Sequence, residues 1–207
     1  MTHETVFAAI DQSLDTARMI AACQEVVRTP SLSFEESEVA AIYARHLKEL
    51  GFDSVEIDRD GNVIAVLRGE GNGPSLMVNG HIDHVPTGEM KDPFSGELVD
   101  AARWGEEGLA IYGRGTCDMK CNVMASAYAI AAIKRAGVKL RGDVVFVADV
   151  GEEVELPPWC SIGYRARRSD RVRPEHGIQP RPGPYRPSRQ DRRGNHGPRP
   201  HVACLRA

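Results

Sequence analysis

The sequence predicts an α/β fold, a mainly parallel sheet with helices on both faces, followed by a tail of another character. Two apolar runs, around Leu76–Val78 and Val144–Val147, have the length and β-branched content of interior strands. Between them an alanine-rich stretch over 119–136 has the composition of a helix packed on a sheet. The resulting β-α-β order is the signature of parallel strands with a helix laid on one face. The third observation is a pair of helical patterns ahead of the strands.

Taken in order, residues 5–27 predict a helix, with Phe7, Ile10 and Leu14 at helical spacing and an end before Thr29-Pro30. Ser33 and Glu36 read as a capping box that opens a second helix. Its apolar stripe runs through Val39, Ile42, Tyr43, Leu47 and Leu50 and stops at Gly51. Val55–Ile57 and Val63–Leu67 predict a strand pair around the turn Asp60-Gly61-Asn62. Strands at 75–79 and 143–149 then flank the helix at 119–136. No internal repeat or heptad pattern is present.

The 207 residues divide by charge. Residues 1–155 carry 14 basic and 26 acidic residues, whereas residues 156–207 carry 12 arginines, no lysine and 3 acids. Nine of the 13 prolines also fall in that tail, which disfavours helices and interior strands there. Taken at face value the tail is a disordered basic arm able to contact nucleic acid, and a non-enzymatic nucleic-acid-binding protein is the alternative reading. Few aromatics (Trp159, Tyr164 and Tyr185) interleave with its arginines, so base stacking has little support. Arginine, proline and glycine without lysine are also what a GC-rich gene yields out of frame, and this reading is preferred for 156–207. No basic, apolar leader opens the chain, and its longest apolar run, Val123–Ile133, is shorter than the roughly 20 residues that span a membrane. A cytoplasmic location is the default expectation.

Three clusters carry the chemistry. His81 follows the first apolar run, and Asp83 lies two residues on, so in an extended segment both side chains share a face. An imidazole can then meet a metal with a carboxylate orienting it from behind. Asp118 ends a glycine-rich turn near the start of the predicted helix. A carboxylate there can serve as a plain helix cap, or it can bridge two cations about 3.5–4 Å apart. The turn lacks the spacing of a phosphate-binding loop. Glu152 and Glu153 follow the second apolar run, and both can serve one site only if the strand has ended, as Gly151 permits. One glutamate can ligate metal while its neighbour takes a proton from a bound water, whose pKa a metal lowers from about 15.7 to about 7. Cys117 and Cys121, four apart, are expected to be small buried residues beside the site.

With GHIDHVP, DPFSGEL, IYGRGTCDMK and GEE in this order, the chain from about residue 5 to residue 155 resembles the dinuclear zinc family of acetylornithine deacetylase, succinyl-diaminopimelate desuccinylase, aminoacylase and glutamate carboxypeptidase. The resemblance implies that His81 ligates one metal, Asp83 orients it, Asp118 bridges, Glu152 is the general acid/base and Glu153 ligates the other metal. It implies two divalent ions, zinc or cobalt with manganese also suited, and hydrolysis of an amide bond in a small N-acyl amino acid or peptide. Members are often homodimers. The chain departs from the family at Cys121-Asn122, where glycines are usual, and lacks matching contexts for a further acidic ligand, a late histidine and the inserted smaller domain. The expectation is therefore a truncated or frameshifted copy with little or no activity, because each metal would keep one private ligand plus Asp118.

Overall fold

The computed structural model describes residues 2–154 and 202–205; the proposed out-of-frame tail otherwise lies outside the described residues. The first helical pattern forms two helices, α1 (His3–Ser13) and α2 (Thr16–Arg28), rather than one. Asp15 makes the break: its carboxylate accepts from the backbone N–H of Arg18 and caps α2. α3 (Ser37–Leu50) carries the expected stripe, with Val39, Tyr43, Leu47 and Leu50 buried, and ends at Gly51 in the left-handed conformation. The capping box, however, does not form. No side chain caps α3, and Ser33 and Glu36 turn to partners elsewhere.

β1 (Ser54–Ile57) and β2 (Val63–Leu67) form the expected antiparallel pair, and Asp58 ties down the turn by accepting from the N–H groups of Asp60 and Asn62. β3 (Leu76–His81) pairs in parallel with β6 (Val144–Asp149), joined through α4 (Cys121–Arg135). The sheet order is β1-β2-β6-β3. It is mixed rather than mainly parallel, because β2 enters as one arm of a hairpin and runs antiparallel to β6. α3 packs on β1 and β2, α4 packs on β3, and the two helices touch, so they share one face of the sheet. Val63, Ala65, Leu67, Val144 and Phe146 fill the layer between, with Tyr43, Leu47, Met124 and Tyr128. Burying one of the valine, leucine, methionine or phenylalanine side chains of this layer stabilises the fold by about 1.5–3 kcal/mol.

A second sheet, order β4-β5-β7, joins β4 (Glu97–Asp100), β5 (Leu109–Tyr112) and β7 (Val202–Leu205), all antiparallel. β7 lies in the stretch expected to be disordered. Its four residues Val-Ala-Cys-Leu are apolar, and they use the open edge of β5. No helix among the described residues is long and apolar enough to cross a membrane.

Candidate metal centre

The parallel β3–β6 pair delivers His81 to the carboxyl edge of the sheet, opposite Asp149. That edge is where open α/β sheets place ligands. Asp83, two residues on, is fully buried behind the imidazole. Its Oδ1 lies 3.1 Å from His81 Nδ1, leaving His81 Nε2 facing Asp118 Oδ1 at 3.0 Å and Glu152 Oε2 at 3.8 Å. The other carboxylate oxygen of Asp83 accepts from the Ser33 hydroxyl at 2.6 Å and from the Glu153 backbone N–H at 3.0 Å.

Asp118 is not a helix cap. It sits in a distorted turn, Thr116–Lys120, ahead of α4, with extended backbone angles and a cis peptide to Met119. Its side chain is 64% exposed and points to His81 instead of to helix amides. Gly115, at φ +76, begins the turn, and a Cβ there would lie 2.8 Å from the Lys120 side chain, so glycine is required twice over. At the third cluster Gly151, at φ +70, turns the chain off β6. Both glutamates consequently follow the strand to the site.

The ligand atoms of His81, Asp118 and Glu153 all lie within 4.8 Å of one another. An imidazole nitrogen and two carboxylates form a donor set that suits zinc and its first-row neighbours. Charge supports the fit: Asp83, Asp118, Glu152 and Glu153 surround a single imidazole, and a divalent cation compensates that excess. Burial by itself would lower the His81 pKa, but the hydrogen bonds to Asp83 and Asp118 outweigh it and push the value from 6.5 up to about 9. Burial would raise Asp83, yet the bonds from His81, Ser33 and the backbone N–H groups of Glu153 and Glu152 hold it at about 2. Glu153 is raised, by burial and then by the neighbouring Asp118.

All five residues singled out from the sequence, His81, Asp83, Asp118, Glu152 and Glu153, thus gather at one edge. Ser33, Glu36 and Lys120 join them unforeseen. Lys120 is fully buried and donates to the Thr29 carbonyl at 2.8 Å and the Ser31 hydroxyl at 3.2 Å, and burial lowers its pKa to about 8. The Ser33–Glu36 spacing was a visible signal, but it read as a local helix start. At the departure from glycine, Cys121 is buried where α2 meets α4, with its thiol toward the Cys23 carbonyl, and Asn122 bonds the Cys117 carbonyl. The packing therefore accommodates both.

An imidazole and several carboxylates at the carboxyl edge of a parallel strand pair define an α/β protein with a candidate divalent-metal centre. Comparison with known proteins agrees. The pattern of Peptidase family M20/M25/M40 matches residues 77–172. A succinyl-diaminopimelate desuccinylase of Leptothrix cholodnii is 32% identical over 136 residues, which are 63% of this chain and 35% of that protein. Among solved structures, a dinuclear metal-binding peptidase of family M20 from Bacillus subtilis superposes with a TM-score of 0.50 at 25% identity, over 68% of this chain and 37% of that one. A di-peptidase of Saccharomyces cerevisiae, 18% identical, shares the fold with a TM-score of 0.57 over 72% of this chain and 35% of its own. Over the matched residues the chain is similar to the M20 family of metallopeptidases and deacylases. It spans about a third of the length of the relatives it matches.

Proposed function

We propose that residues 1–155 form the metal-gripping part of a hydrolase that cleaves the amide bond of a small N-acyl amino acid or peptide. The observation that carries this reading is the convergence of His81, Asp118 and Glu153 within 4.8 Å beside the buried His81–Asp83 pair. The names of the relatives, a desuccinylase and two peptidases, point to the same bond type.

In this reading Asp83 fixes the imidazole so that Nε2 is presented to the ion, and Asp118 and Glu153 supply oxygens. A bound divalent ion would supply Lewis acidity toward the amide carbonyl and toward water. Zinc or cobalt suits these donors, and manganese is also compatible. Glu152 moves the proton. Its side chain is 57% exposed with Oε2 3.8 Å from His81 Nε2, so it can reach the attacking water and then the leaving amine. Two ions sharing Asp118 would each hold two protein donors among the described residues, where a catalytic zinc normally has three. One ion is therefore held more firmly than two, and turnover is low. Residues 156–207 contribute no role to this reading, which treats them as out of frame. The free thiols of Cys23 and Cys121 suit a reducing compartment such as the cytoplasm.

The test is to titrate the full chain with zinc or cobalt and assay N-acyl amino acids and dipeptides. Metal uptake that falls in His81→Ala, with little hydrolysis, is expected. Rapid hydrolysis abolished by Glu152→Ala would uphold the class and refute the low turnover. Failure to take up any divalent ion would refute the class.

A further inference from the structure

We propose that the segment Ser31–Glu36 is a brace that sets the geometry of the metal centre, with Ser33 and Glu36 as positioning residues acting through Asp83 and Gly151. This inference rests on the metal-centre reading above.

One short segment touches all three clusters. Ser31 is stapled on either side of Asp83: its hydroxyl donates to the Ile82 carbonyl at 2.8 Å, its N–H donates to His84 Nε2 at 2.9 Å, and its carbonyl accepts from the His84 N–H at 3.0 Å. The buried ammonium of Lys120, two residues from Asp118, bonds the same hydroxyl and the Thr29 carbonyl. Ser33 then donates to the buried Asp83 carboxylate, and Glu36, itself buried, accepts the Gly151 N–H at 2.9 Å, one residue before Glu152.

The segment gives up local stability to do this. Ser33 and Glu36 have the spacing of a capping box, yet α3 starts without a side-chain cap. Phe34 between them holds φ +72 and is 67% exposed, a conformation uncommon for a bulky residue. Strain of this kind persists only where its surroundings enforce it. Here the enforcement comes from the flanking bonds to two separate loops.

The experiment uses the full chain with Ser33→Ala, Ser33→Thr and Glu36→Ala. Cobalt(II) binding is followed by visible absorption, and backbone amide exchange at Gly151 and Glu153 is followed by NMR without metal. Loss of a partner behind a metal ligand typically weakens binding about 10–100-fold, so Ser33→Ala should bind cobalt that much less tightly with an altered spectrum. Ser33→Thr, which keeps the hydroxyl, should restore both. Without metal, exchange should speed up about tenfold at Glu153 in Ser33→Ala and at Gly151 in Glu36→Ala, as expected when the bonded network is released. Should the alanine variant fail to fold, Ser33→Cys, nearly the same shape but a weak donor, carries the same comparison. Unchanged cobalt affinity and unchanged exchange would overturn the brace. An unsubstituted chain that takes up no cobalt would sink the metal reading, while the metal-free exchange still decides the brace.

Discussion

Replacing Asp83 by asparagine removes a charge and almost no volume at a position where several donors converge. His81 Nδ1 faces one oxygen, while the Ser33 hydroxyl and the Glu153 N–H share the other. An amide offers one oxygen and one NH2, so one side must face a donor with a donor. The magnitude follows from linkage. The imidazole pKa rises from 6.5 to about 9, and at about 1.36 kcal/mol per unit the shift is worth about 3 kcal/mol, shared between Asp83 and Asp118. The folded value lies above the unfolded one, so this stability is fully present below pH 6.5 and is lost as pH rises through about 9. Adding the mismatched donor, Asp83→Asn should destabilise the metal-free chain by about 3 kcal/mol at pH 6 and by about 1 kcal/mol at pH 10. Urea unfolding followed by far-ultraviolet circular dichroism, with chelator present, measures both. A variant within about 0.5 kcal/mol of the parent at pH 6, or a difference that does not shrink with pH, would mean that Asp83 does not hold the imidazole charged.

Two further predictions concern the backbone around the site. Phe34→Gly should relieve the positive φ and stabilise the chain by about 1 kcal/mol in the same unfolding assay. Gly80→Ala should cost about 1–3 kcal/mol and weaken zinc uptake, because the new Cβ would lie 2.6 Å from Val123 and 2.9 Å from Met119 and must push α4 away from the strand that carries His81.

Periodicity made much of this fold legible. The stripe of α3, the β1–β2 pair, β3, β6 and α4 follow from residue spacing, since each buries one face against the same core. The break between α1 and α2 was also written in the sequence, at Asp15, but a continuous apolar pattern hid it. β4 and β5 have four residues each, too few for alternation to stand out. The sheet came out mixed because helix crossovers are visible in a β-α-β order, whereas the partner on the far side of a hairpin is not. At the site, His81, Asp83, Asp118, Glu152 and Glu153 were legible because they follow strands or a glycine turn. Ser33 reads as a helix cap for a physical reason: a hydroxyl three residues before a glutamate satisfies a helix start and a remote carboxylate equally well, and only tertiary packing, 50 residues away in sequence, chooses between them.

In the proposed function His81, Asp118 and Glu153 hold the same divalent ion. Anomalous diffraction from crystals of the full chain grown with zinc locates that ion directly. A peak is expected about 2.0–2.2 Å from His81 Nε2 and from carboxylate oxygens of Asp118 and Glu153. A zinc peak bound elsewhere, with these three side chains uncoordinated, would contradict it.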